Sequence, residues 1–170
     1  MTGRPGKARL LMFIAGVTAI AVGAGILSFL AGRRLYRDYK RRKLMEVSVV
    51  IEIPELRIKA PVLEGTDNDV LSKAAGHFPD TGSPGAGNYC IAAHSSTIYK
   101  EYFNALKNVS SGMEVKLYDI EKNLYTYHVT DYFTVEPSET WILDDAGDTR
   151  VTLVTCTDDG TQRLIVVAKK

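Results

Sequence analysis

Hydrophobic positions follow two different patterns along this chain. From Leu10 to Ala31 there are 22 consecutive residues without a charge, LLMFIAGVTAIAVGAGILSFLA. As a helix this stretch is about 33 Å long, at about 1.5 Å per residue, which matches a hydrocarbon core of about 30 Å. It leaves no polar face for a buried soluble helix. A cleaved signal peptide has a shorter apolar core, of about 7–15 residues, and a small-x-small exit. Here the stretch ends Phe29-Leu30-Ala31-Gly32 and then meets arginines. Residues 10–31 are therefore predicted to be a retained transmembrane anchor. Residues 1–9 precede it as a cytoplasmic N-terminus, 32–46 form a basic juxtamembrane linker, and 47–170 form a separate domain.

Beyond the linker the pattern changes to short alternating runs broken by turn residues. Val47–Ile53 (VSVVIEI) and Leu56–Leu63 (LRIKAPVL) are predicted strands, the first broken by Pro54 and the second with Pro61 near its end. Thr66, Asp67 or Asn68 caps a short helix predicted to run through Ala75. Residues 79–88 (PDTGSPGAGN) are turn-rich. Tyr89–Ala93 is a short apolar strand. Ile98–Leu106 has helical spacing, with Tyr99, Phe103 and Leu106 on one face. Met113–Tyr118, Leu124–Phe133, Arg150–Cys156 and Arg163–Ala168 are further strands. Short strands spaced by turns predict a mainly β barrel or sandwich with short helices.

Charge sharpens the division. The net charge of +1 on 170 residues hides ten Lys/Arg against one acid, Asp38, in residues 1–43. The remaining 127 residues hold eleven Lys/Arg against nineteen Asp/Glu. With 45% hydrophobic residues and six prolines, the chain is not disordered, collagen-like or a disulfide-dense mini-protein. Seven basic residues (Arg33, Arg34, Arg37, Lys40, Arg41, Arg42, Lys43) follow the anchor and three (Arg4, Lys7, Arg9) precede it. Read literally, that asymmetry puts the large domain in the cytoplasm, although long domains also translocate against flanking charge. The basic run is either a helical stalk against anionic headgroups or a solvated linker.

Candidate chemistry centres on Cys156. Asp159-Gly160 is a turn signal, so Arg150–Cys156 and Arg163–Ala168 pair as a hairpin that brings Cys156 close to Arg163. A guanidinium next to a sulfur stabilises negative charge on it and on an oxygen developing beside it. By strand parity Thr152, Val154 and Cys156 share one face, and Val151, Leu153 and Thr155 the other. The blander reading of Cys156 is a buried structural thiol. A disulfide with Cys90 is a rival, although Cys90, within Tyr89–Ala93, also reads as core packing. A catalytic thiol needs a base, and the candidates are His94 at a strand end, His77 between helix and loop, and His128 in mid-strand. No metal-ligand spacing is present among the His and Cys residues.

Thr152-Leu-Val-Thr-Cys156 resembles the TLxTC signature of sortases, the cysteine transpeptidases of Gram-positive surfaces. Arg163 falls where sortases carry their active-site arginine. Ile91-Ala-Ala-His94 resembles the family's strand ending in Ala-Gly-His. Gly76–Asp80 through Pro84–Asn88 resembles the segment that precedes it. The resemblance covers about residues 47–168. It implies an eight-stranded β-barrel preceded by the transmembrane helix, with Cys156 as nucleophile, His94 as general acid/base and Arg163 as stabiliser of the oxyanion or substrate. Ala92, Val154 and Thr155 are the implied substrate-binding positions. Ala93 stands where the family has glycine. The short Glu136–Thr149 segment lacks the long helical insertion of class B, the Val-Val-Ala-Lys ending resembles class B, and the Pro-Gly run resembles classes C and D, so the class stays open.

The resemblance further implies acyl transfer from an LPxTG-like sorting signal, through a thioacyl enzyme, to an amine. The expected partners are sorting-signal-bearing surface proteins or pilins, an acceptor such as a peptidoglycan precursor, and the membrane, with no nucleic acid. The expected location is the cell membrane, single-pass, with the catalytic domain outside. No cofactor is required. Ca²⁺ bound by Glu64, Asp67 and Asp69, or by Glu136, Glu139, Asp144 and Asp145, is the alternative to plain acidic loops. A different class of function also stays open: a non-catalytic, membrane-anchored binding module, either disulfide-stapled or a degenerate scaffold of the same kind.

Overall fold

The computed structural model describes residues 5–95 and 102–170. Helix α1 (Pro5–Val47) carries the apolar stretch, and from Ala8 onward it is long and apolar enough to cross a membrane. Its helical geometry extends through the basic run, which is built of strong helix formers without proline. The first strand therefore begins later than the alternation suggests, because Val47 still belongs to the helix.

The remaining elements are strands β1 (Val49–Ile53), β2 (Ile58–Glu64), β3 (Ala75–His77), β4 (Asn88–Ala92), β5 (Glu114–Tyr118), β6 (Leu124–Val135), β7 (Arg150–Cys156) and β8 (Arg163–Lys169), with a one-turn helix α2 (Asn68–Leu71). They close into a barrel in the order β1-β2-β3-β4-β7-β8-β6-β5. Two contacts, β2 with β3 and β4 with β7, are parallel. The others are antiparallel.

Alternation sets which side chains fill the barrel. In β1, Ile51 and Ile53 are fully buried while Glu52 faces out and pairs with Lys59 across the β1–β2 register, at 2.8 Å. Ile91, Val115, Leu117, Tyr127, Val151 and Leu153 join them in the same interior cluster. Each such aliphatic side chain contributes about 1.5–3 kcal/mol by leaving water. A second, smaller cluster of Ala92, Ile142, Val154, Ile165 and Val167 lies on the opposite face of β4, β7 and β8. A 3-10 turn at Trp141–Leu143, in the β6–β7 connection, packs on that outer face through Ile142.

Two elements differ from the sequence expectation. The helix capped by Asp67, whose carboxylate accepts from the amides of Asp69 and Val70, ends at Leu71 rather than Ala75. Ala75–His77 is instead a strand wedged between β2 and β4. A side chain on Gly76 would put its Cβ 2.2 Å from the Gly65 carbonyl oxygen, so this close pairing requires glycine. Three residues of pattern give no local sign of such a strand. The expected helix at Ile98–Leu106 lies partly outside the described residues, Tyr99 included. Phe103 and Leu106 are fully buried, and Leu106–Asn108 forms a 3-10 turn.

Candidate active site

The hairpin forms as its turn residues indicate. Gly160 adopts φ +73°, and the Thr157 amide donates to Gln162 O at 3.1 Å to close the loop. Asp159 organises the interior of that loop. Its carboxylate accepts from the Thr157 hydroxyl at 2.6 Å, the Thr161 hydroxyl at 2.8 Å and the Thr161 amide at 3.1 Å. These bonds, led by the Thr157 hydroxyl, hold the Asp159 carboxyl down at about 2. Cys156 and Arg163 are the terminal facing pair of β7 and β8. The Arg163 guanidinium donates to the carbonyls of Gln162 at 3.2 Å and Gly160 at 3.5 Å.

His94 reaches the same place through the parallel pairing of β4 with β7. Ala92 faces Val154, and both belong to the outer cluster. The pairing continues one residue further, with the Ala93 amide on Val154 O at 3.1 Å. Cys156 lies two positions beyond Val154 on β7, so parity puts it on the outer face, while His94 follows two residues after the last residue of β4. Ile165 faces Val154 from β8 and also lies in the outer cluster, so Arg163, two positions before it, shares that face. By backbone register Cys156 and Arg163 lie at the same end of β7 and β8, and His94 follows the matching end of β4. The Thr155 hydroxyl, buried on the other face, donates to Ala93 O at 2.7 Å and ties the His94 strand end to β7. The His94 carbonyl in turn accepts from the Phe103 amide at 3.2 Å.

The other histidines lie elsewhere. His77 is buried on β3, with Nδ1 2.7 Å from Glu64 Oε2, Nε2 2.9 Å from Thr81 Oγ1, and its ring stacked on Tyr89. His128 is exposed on β6, facing Glu114 and Lys169.

Ala92 and Val154 are neighbours beside the outer 3-10 turn, whereas Thr155 belongs to a separate cleft. That cleft, of about 210 Å³, is lined by Phe103, Lys107, Thr155, Cys156, Asp158 and Leu164 among others. A larger depression of about 320 Å³ lies on the outer face at the opposite end of β7, beside Trp141 and Arg150.

The disulfide alternative is corrected by the structure. Cys90 and Cys156 are both free thiols. Cys90 faces Thr152, four residues along β7 from Cys156 and so about 13 Å away, beyond the reach of a disulfide. Cys90 is fully buried, and that burial pushes its thiol up to about 11, making it unreactive. Among the described residues no group of three or more His, Cys, Asp or Glu is arranged to hold a metal ion. Glu64 is bonded to His77, and Asp67 caps α2.

One supporting residue has no signature in the sequence. Asn88 is buried. Its amide donates to the carbonyls of Ile142 at 3.0 Å and Asp144 at 2.9 Å, and its oxygen accepts from the Thr152 hydroxyl at 2.7 Å. It fastens the β6–β7 connection to the outer face that carries Cys156. Within the turn-rich run it reads simply as one more turn residue.

The fold is a closed eight-stranded barrel with Cys156 and Arg163 paired at one end of β7 and β8 and His94 just past the matching end of β4. The family model for the sortase domain matches residues 51–170. Sortase A of Streptococcus agalactiae is 36% identical over 126 residues, which cover 70% of this chain and 51% of the relative. The solved sortase A of Listeria monocytogenes superposes with a TM-score of 0.68 at 28% identity, covering 73% of this chain and 86% of that one. A pilus-related sortase C of Group B Streptococcus superposes at 0.67 with 32% identity, covering 73% and 66%. This chain belongs to the sortase family. It spans about half the length of the curated relatives it matches.

Proposed function

We propose that this protein is a membrane-anchored cysteine transpeptidase that cleaves an LPxTG-like sorting signal and transfers the acyl part to an amine. The observation that carries this reading is the strand register, which pairs Cys156 with Arg163 and brings the backbone just before His94 onto Val154 of the Cys156 strand. The Cys156 sulfur, as thiolate, attacks the backbone carbonyl carbon after the threonine of the signal. Arg163 turns its guanidinium from the loop carbonyls to the developing oxyanion. His94 protonates the departing amine, leaving a thioester on Cys156. An amine acceptor, from a peptidoglycan precursor or a pilin lysine, then attacks with His94 as base and restores the thiol. Ala92 and Val154 contribute the floor of the donor groove, and Thr155 supports it from behind. The chemistry requires no cofactor. The solved relative described as pilus-related supports pilins as one class of partner.

The test is transfer from a library of LPxTG-like peptides to an added amine by the full chain in detergent. Wild type is expected to form the transfer product and Cys156→Ala none, with an unchanged circular dichroism spectrum. Retained cleavage in Cys156→Ala would sink the reading.

In the same reading residues 10–31 cross the membrane, 1–9 lie in the cytoplasm, 32–46 form the basic linker, and the catalytic domain 47–170 is extracytoplasmic. This places the larger basic flank outside, against the simple charge rule. Protease added to intact cells is expected to digest residues 47–170; complete protection would reverse the orientation.

A further inference from the structure

A transpeptidase brings two substrates to one sulfur in succession, so the second must approach along a path that the first leaves open. The donor groove proposed above lies on the outer face of β7. The cleft lined by Phe103, Lys107, Thr155, Asp158 and Leu164 meets Cys156 from the other side, since Thr155 and Leu164 face each other across β7 and β8 with parity opposite to Cys156. Its volume of about 210 Å³ accommodates an alkylamine side chain.

The charge inside the cleft is specific. An alkylamine is an ammonium ion below about pH 10, and a carboxylate is its natural recognition group. Asp158, two residues after Cys156, supplies one. An ammonium already rests on it: Lys107 Nζ lies 2.8 Å and 3.0 Å from the two Asp158 oxygens. Both side chains are about half exposed, at 50% and 52%, and an ion pair of that exposure is weak and exchangeable.

We propose that this cleft is the acceptor site, that Asp158 binds the ammonium of the incoming amine, and that Lys107 is an internal occupant the acceptor displaces. The inference rests on the transpeptidase reading above. One proton of the docked ammonium passes to the His94 imidazole, and the neutral amine nitrogen bonds to the thioester carbonyl carbon. The carbon–sulfur bond then breaks. The second proton shed as the amide forms goes to the departing sulfur, and the imidazolium returns its proton to water.

Two measurements on the full chain test this. In the first, Nα-acetyl-lysine amide and hydroxylamine, which is neutral at pH 7.5, compete for the thioacyl enzyme, and the ratio of lysine product to hydroxamate is read. Asp158→Asn is expected to lower that ratio about fivefold, and Lys107→Met to raise it. An unchanged ratio in Asp158→Asn, or a fall in Lys107→Met, overturns the proposal. In the second, Nα-acetyl-lysine amide is titrated into Cys156→Ala protein and followed by amide NMR shifts. Saturable shifts at residues 107 and 157–158 that vanish in Cys156→Ala/Asp158→Asn are expected, and their absence overturns the acceptor site. Failure of wild type to cleave any donor peptide sinks the transpeptidase reading instead, while the titration still decides whether the cleft binds an ammonium.

Discussion

Cys156 and Arg163 face each other as the terminal pair of the β7–β8 hairpin, with six residues between them. A hairpin ladder allows little freedom at such a pair, so backbone geometry fixes the base of the guanidinium-bearing side chain opposite Cys156. Its present hydrogen bonds, to the Gln162 and Gly160 carbonyls, leave it half-exposed and able to turn.

If Arg163 stabilises the oxyanion, Arg163→Lys keeps the charge but loses the planar fork. A loss of about 100- to 1000-fold in kcat/KM is expected, carried mainly by kcat, with stability nearly unchanged. Steady-state kinetics beside a urea titration separates the two effects. A change confined to KM would assign Arg163 to ground-state binding.

Asn88 supports the site from a distance. Asn88→Ala abandons the carbonyls of Ile142 and Asp144 and the hydroxyl of Thr152. Leaving buried polar groups without partners costs about 1–3 kcal/mol. Urea unfolding is expected to show a loss in that range. Hydrogen exchange is expected to rise in the Trp141–Leu143 turn before the barrel strands, because the turn loses its fastening while the interior cluster is intact.

Acid sensitivity should centre on the β7–β8 loop. The Asp159 carboxyl is held at about 2, below its ordinary value of 3.8, by hydrogen bonds from Thr157 and Thr161. A depressed carboxyl stabilises the folded state fully above its unfolded value, and that contribution is lost as pH falls toward the folded one. The window is therefore about pH 4 down to about pH 2. Thermal melts of wild type and Asp159→Asn are expected to differ at pH 5 and to converge toward pH 2. Equal separation at both pH values would remove Asp159 as the cause.

Several features were legible in the sequence because they depend on neighbours a few residues apart. The apolar run Leu10–Ala31 reads as a helix long and apolar enough to cross a membrane. The alternation in Val49–Ile53 and Val151–Thr155 decided which side chains fill the barrel. Asp159-Gly160 set the turn, and the turn set Cys156 against Arg163. The TLxTC pattern followed by Arg163 and preceded by His94 carried the family resemblance as well.

Tertiary structure decided the rest. The segment carrying His94 reaches the Cys156 end of β7 only because β4 and β7, some sixty residues apart, pair in parallel with Ala92 against Val154. Parallel pairing has no connecting turn, so no local residue pattern specifies its register. The same holds for β3, which exists because Gly76 lets the Gly65 carbonyl approach, and for Asn88, whose partners lie more than fifty residues away. The separation of Cys90 from Cys156 is likewise a matter of register: composition allowed the disulfide, and four residues of β7 forbid it. Periodicity and turn chemistry act over a few residues and are written in the chain; closure of the barrel brings distant segments together and becomes visible only once the ladders have formed.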